Sequence, residues 1–148
     1  MRYYSTGKQS PYVSLREAVL TGMPRDNGLF MPESIPRIPS AVMASLHKMT
    51  FCEVAVEVCK LFFGEDIPLE DIKKIVSRAF SFEPVVREIY EDVYILELFH
   101  GPTLAFKDFG ACFMAQLMAY LIKDTDTHLH VLVATSGDTG SAVGRAFW

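Results

Sequence analysis

The sequence predicts an α/β protein: a helical N-terminal region followed by the start of a parallel sheet with crossover helices. Three observations carry this. From residue 1 to about 85, apolar residues recur at three- and four-residue steps behind helix-start signals, with prolines between them. From 93 to 148 the texture changes to strand, helix, strand, helix. The second of those strands, 129–134, is almost continuously apolar, the pattern of a parallel strand buried on both faces. Strands joined through a helix in this way run parallel with a right-handed crossover. Two regions are therefore expected, 1–85 and 86–148.

The elements follow in order. Ser14 with Glu17 three residues later can satisfy two helix-start amides reciprocally, so a helix begins there and stops near Gly22 and Pro24. Arg25-Asp26-Asn27-Gly28 is turn chemistry, and Leu29-Phe30-Met31 reads as a short buried extended piece. Pro32, Pro36 and Pro39 keep the next stretch irregular. Thr50 and Glu53 form a second capping pair. Behind it Phe51, Val54, Ala55, Val58, Leu61 and Phe62 share one face of a helix that ends at Gly64. A third helix follows Pro68, with Leu69, Ile72, Ile75, Val76 and Ala79 on its apolar face, and Pro84 closes the region. Residues 93–98 are rich in β-formers and short enough for a strand. Residues 107–122 read as a helix apolar on most of its surface, 124–127 as a polar loop, and 139–147 as a last helix. That helix is interrupted at Trp148, and two parallel strands cannot cover both faces of a sheet, so the natural chain is expected to continue.

Composition narrows the function classes. Half the residues are hydrophobic and only 22% are charged, which excludes a disordered chain. The net charge of −4, with no basic run, argues against a nucleic-acid partner. No apolar run approaches a membrane span and the N-terminus lacks a signal-peptide core, so a cytoplasmic protein is expected. Cys52, Cys59 and Cys112 are odd in number and not at metal-ligand spacing, which favours free thiols. Cys52 and Cys59, seven apart, share a helix face. The four histidines form no metal set.

Two segments can carry chemistry. In the first, Leu98-Phe99-His100-Gly101-Pro102-Thr103-Leu104-Ala105-Phe106-Lys107-Asp108-Phe109-Gly110, a lysine follows a strand and sits among Leu104, Phe106, Phe109 and Phe113. Desolvation disfavours an ammonium, and a neutral amine is what condensation with an aldehyde cofactor requires. The alternative is a solvated lysine at a helix start. The second is Thr135-Ser136-Gly137-Asp138-Thr139-Gly140, between a strand and a helix. Small residues admit a ligand to the backbone, and the amides and hydroxyls there suit an anion, whereas Asp138 suits a donor or a positive group. The alternative is a plain helix cap by Ser136 or Asp138. The two segments are 29 residues apart, one strand–helix–strand unit, which brings them to one end of adjacent strands. His100 reads either as a second base or as a structural loop histidine.

The stretch from Leu96 to Phe109 and the stretch Ala134-Thr135-Ser136-Gly137-Asp138-Thr139-Gly140 resemble the signatures of the threonine synthase family. So do Val13-Ser14-Leu15 with Glu17-Ala18-Val19, and Gly28-Leu29-Phe30-Met31-Pro32. The resemblance implies a fold-type II, tryptophan-synthase-β-like enzyme, with residues 1–85 as the family's N-terminal region and 86–148 as the beginning of its cofactor domain. It implies conversion of O-phosphohomoserine and water to threonine and phosphate with pyridoxal 5'-phosphate. Lys107 would carry the cofactor as a Schiff base and serve as acid and base. Asp138 would face the cofactor ring, and Ser136, Gly137, Asp138, Thr139 and Gly140 would line the substrate carboxylate. Where some members have Ser-Thr-Arg-Gly, this chain has Ser5-Thr6-Gly7-Lys8, so a substrate-phosphate arginine is not present there. A phospholyase acting on the same substrate is the alternative chemistry. The non-enzymatic alternative is a fragment that serves as an interaction module. The chain alone is expected to be inactive and to self-associate through its uncovered sheet edge.

Overall fold

The computed structural model describes residues 1–126 and 128–148. The elements run β1 (Tyr3–Ser5), α1 (Leu15–Thr21), β2 (Phe30–Pro32), α2 (Ser40–Ser45), a 3-10 turn (Leu46–Lys48), α3 (Phe51–Phe63), α4 (Leu69–Ala79), β3 (Val85–Tyr90), β4 (Val93–Glu97), α5 (Lys107–Ile122) and α6 (Asp138–Phe147). The chain divides into two compact units, Met1–Lys74 and Ile75–Trp148.

In the first unit β1 pairs antiparallel with β2, in the register Tyr3 with Pro32 and Ser5 with Phe30. The Ser14 hydroxyl accepts from the Glu17 amide, so the expected start of α1 forms. Both halves of the Thr50–Glu53 capping box form at α3: the hydroxyl accepts from the Glu53 amide, and the Glu53 carboxyl accepts from the Thr50 amide at 2.7 Å. Gly64 ends α3 while still right-handed, at φ −67°. Tyr3, Val13, Leu15, Ala18, Cys59, Ile67 and Ile72 are the unit's buried apolar residues. Cys59 lies inside and Cys52 is half-buried, and no disulfide joins cysteines among the described residues. Two expectations fail here. The 29–31 piece is extended, but Leu29 and Met31 are exposed, because a two-stranded ribbon has no layer over its outer face. Residues 33–39 are irregular as expected, but 40–45 are helical, since a proline can precede a helix without costing it a hydrogen bond.

In the second unit Val76 and Ala79 of α4 are almost fully buried; Leu69, at the start of that helix and in the first unit, is exposed. Phe80 stacks on Phe113 with ring centroids 6.0 Å apart, and Phe82 meets Phe109 edge-on at 4.8 Å. Helices α5 and α6 start and end within a residue of the expected positions. Among the described residues the start of a parallel sheet is not found. The 93–97 strand pairs antiparallel with β3, Val85 opposite Glu97 and Tyr90 opposite Val93. Pro84 lies between the end of the helical region at Ala79 and a hairpin that starts at Val85, and Asp92, at φ 60°, makes the hairpin's turn. Residues 129–134 form no ladder among the described residues, and Leu132 is 93% exposed. An apolar run can show that a segment is fit for burial on both faces, but the flanking strands and helices must supply that burial. Of the expected polar loop, Asp124 is in a turn, Thr125 in a bend and Asp126 irregular; Thr127 lies outside the described residues.

Candidate active site

The site is built where β4 gives way to α5. Lys107 is the first residue of α5 and is half-buried, with Nζ 4.3 Å from the centroid of the Phe106 ring. A cation over an aromatic face is attracted by the ring quadrupole, so Phe106 gives the amine a resting place. The loop before it is a compact turn. Leu104 is left-handed at φ 59° and its amide donates to the Gly101 carbonyl at 3.1 Å. Asp108, next after Lys107, is fully buried. Its carboxyl oxygens accept from the Thr103 amide at 2.8 Å and the Thr103 hydroxyl at 2.7 Å. A Cβ on Gly101 would stand 2.5 Å from Asp108 Oδ2, so only glycine fits at that approach. Asp108 and Thr103 are part of the site that reading for reactive groups missed. The available signal was an acidic residue in an otherwise apolar helix turn, just after a Gly-Pro-Thr turn.

The second segment ends at α6. Gly137 is the residue before the helix, with φ 145°, a conformation suited to glycine. The hydroxyl that takes up helix-start amides belongs to Thr135: Oγ1 accepts from Gly137 at 2.9 Å and Gly140 at 3.1 Å. Neither Ser136 nor Asp138 makes that cap. The geometry requires a side chain that folds back over the turn, and Thr135 stands on the incoming side. Ser136, Gly137 and Asp138 are exposed, whereas Thr139 and Gly140 are half-buried.

Both segments meet. One cleft of about 570 Å³ is lined by Leu98, Phe106, Lys107, Phe109 and Gly110 from one side and Thr139, Ala142 and Val143 from α6. Of the expected site residues, Lys107 and Thr139 line it; Ser136, Gly137, Asp138 and Gly140 belong to the turn beside it. The walls are almost wholly apolar, with the lysine amine as the one ionisable group among the lining residues.

His100 is bound to the hairpin. Its Nε2 is 2.7 Å from Glu97 Oε2, and Glu97 also accepts from Arg87 Nε at 2.9 Å. The bond to His100, with Arg87 adding to it, holds the Glu97 carboxyl below its ordinary range. This ties the loop to both arms of the hairpin. At the far N-terminus, Ser5 is buried and donates to Asp26 Oδ1 at 2.5 Å. Asp26 also accepts from the Gln9 and Gly28 amides at 2.9 and 3.1 Å. The Ser5 bond first, then those amides, pulls its carboxyl down to about 2. Ser5-Thr6-Gly7-Lys8 is thus a hydrogen-bonded turn, with Lys8 left-handed at φ 58°.

A family model described as "Threonine synthase N terminus" matches residues 2–80. The chain belongs to the threonine synthase family. A threonine synthase of Buchnera aphidicola subsp. Baizongia pistaciae is 40% identical over 149 residues, covering the whole of this chain and 35% of that protein. The crystal structure of threonine synthase from Escherichia coli superposes with a TM-score of 0.91 at 39% identity, over all of this chain and 34% of that one. The pyridoxal-phosphate-bound threonine synthase from Brucella melitensis gives 0.92 at 35% identity, over 99% of this chain and 33% of that one. The chain therefore spans about a third of the length of the threonine synthases it matches.

Proposed function

We propose that this chain is the N-terminal third of a pyridoxal-phosphate-dependent threonine synthase that converts O-phosphohomoserine and water to threonine and phosphate. The observation that carries the reading is the shared cleft, which sets the amine of Lys107 opposite Thr139 at the start of α6. The residues fit the cofactor. The cleft lies within the few-hundred-Å³ range of small-molecule sites. Its aromatic and aliphatic walls suit the faces of a flat ring. Gly110, Ala111 and Ala142 leave it open, and its one amine can hold an aldehyde. The Brucella relative, solved with pyridoxal phosphate bound, supports the assignment. When bound, the cofactor supplies an electron sink that makes protons on the neighbouring substrate carbons removable.

The chain's own residues then have distinct tasks. Lys107 Nζ holds the cofactor and, once released, carries protons at that atom. Phe106, Phe109 and Leu98 exclude water from the wall beside it. Ser136, Gly137, Asp138, Thr139 and Gly140, at the start of α6, would line the substrate carboxylate; Thr135 takes the Gly137 and Gly140 amides, so the Asp138 and Thr139 amides and the Ser136 and Thr139 hydroxyls would be the donors. Asp138, beside the cleft, would face the cofactor ring. In the whole protein, residues 1–85 form the N-terminal domain and 86–148 begin the cofactor domain. There 93–98 and 129–134 join a parallel, tryptophan-synthase-β-like sheet of fold type II. The uncovered apolar run at 129–134 supports this, and a cytoplasmic location accords with such an enzyme.

The test uses the full-length protein. Borohydride reduction in the presence of pyridoxal phosphate, followed by peptide mapping, should place the cofactor on Lys107, and Lys107→Ala should lose both the label and phosphate release. Label on another lysine overturns the site. Phosphate released with a ketoacid in place of threonine makes the enzyme a phospholyase.

A further inference from the structure

The carboxyl beside Lys107 sits where a helix start would ordinarily place an exposed residue. Asp108 is in the first turn of α5 yet has no exposed surface. Burying a carboxyl is unfavourable unless donors replace its water, and here Thr103 supplies both. The Thr103 amide and hydroxyl take one oxygen each, at 2.8 and 2.7 Å. The Asp108 amide in turn donates to the Ala105 carbonyl at 3.0 Å, and Gly101 closes against the carboxyl from the other side. The Gly101–Asp108 loop is thus tied at both ends to one side chain, and Lys107 is the residue between the tie and the loop.

We propose that Asp108 is a positioning residue for Lys107, acting through its clasp on Thr103; the proposal rests on Lys107 being the cofactor lysine. The clasp fixes the backbone from which Lys107 leaves the helix. Its long side chain then reaches the rim of the cleft, over Phe106, from a constant origin. The benefit is one of orientation. A reacting atom displaced by about 1 Å loses on the order of 100-fold in rate.

The experiment uses full-length protein with pyridoxal phosphate and three readouts: the rate of borohydride-trapped labelling at Lys107, kcat against KM for O-phosphohomoserine, and amide hydrogen exchange of the peptide spanning 101–109. Thr103→Val keeps the side-chain shape and removes one donor, so it tests the clasp even if Asp108→Ala fails to fold. Thr103→Val should speed exchange in that peptide and lower labelling and kcat by about 10- to 100-fold, with KM little changed. Thr103→Ser should restore the rate. Asp108→Asn can still accept from the Thr103 amide and donate to its hydroxyl, so it should recover most of what Asp108→Ala loses. If Thr103→Val, assayed well below its unfolding midpoint, labels Lys107 at the wild-type rate, Asp108 is only a stabilising group and the proposal falls alone. If the wild type carries no label on Lys107, the cofactor assignment falls and takes the proposal with it.

Discussion

Replacing Gly101 by alanine should do more damage than a single methyl group suggests. Its φ lies outside the left-handed region, so an L side chain is not barred by the backbone. Space is the obstacle. The new Cβ would lie 2.5 Å from Asp108 Oδ2, 2.8 Å from its Cβ and 3.0 Å from its Cγ, where ordinary contact begins at 3.4 Å. The carboxyl cannot swing away freely, because both oxygens are held by Thr103. Either the loop opens or the clasp breaks. Forcing a methyl into packed space costs about 1–3 kcal/mol, and leaving a buried polar group unsatisfied costs about 1–3 kcal/mol, so Gly101→Ala should destabilise by about 2–6 kcal/mol. The assay is urea unfolding of wild type, Gly101→Ala, Asp108→Ala and the double variant. Removing the carboxyl removes the obstacle, so Gly101→Ala should cost far less in the Asp108→Ala background, a coupling of at least about 1 kcal/mol. Additive losses would refute the steric reasoning, as would a Gly101→Ala variant with an unchanged midpoint.

Three further perturbations probe the rest of the chain. Asp26 is held at about 2 against an ordinary 3.8, so its hydrogen bonds stabilise the fold fully above 3.8 and progressively less as the pH falls toward 2. The difference in melting temperature between wild type and Asp26→Ala should therefore be constant at neutral pH and shrink over that acid window; a gap undiminished at pH 2 would show that the carboxyl is not the source. Burial pushes the Cys59 thiol up to about 11, so a thiol reagent at pH 8 should modify it slowly in native protein and rapidly after denaturation. Equal rates before and after unfolding would place Cys59 at the surface. Leu15, 2% exposed, anchors the first unit, and Leu15→Ala should cost about 2–5 kcal/mol by chemical denaturation. A loss under 1 kcal/mol would mean that the surrounding residues collapse into the space.

What the sequence determined by itself is local. The Thr50–Glu53 box, Pro68 and the spacing of Ile72, Ile75, Val76 and Ala79 place α3 and α4, because capping and the 3.6-residue period act within a few residues of chain. The identities of Lys107 and the 135–140 turn were legible for the same reason: a lysine among aromatic residues and a run of small residues are visible without a fold. Pairing and enclosure were not legible. β4 chose β3 rather than 129–134, since an antiparallel partner two residues away closes a hairpin with little loss of chain freedom, whereas an apolar run carries no address for its neighbour. Thr135 took the cap expected of Ser136 or Asp138 because which hydroxyl reaches an amide depends on the direction of the incoming chain. The burial of Asp108 could not be read from its type, which favours the surface. Only the return of Thr103 and Gly101 against the first turn of α5 supplies the two donors and the close contact that make an interior carboxyl stable.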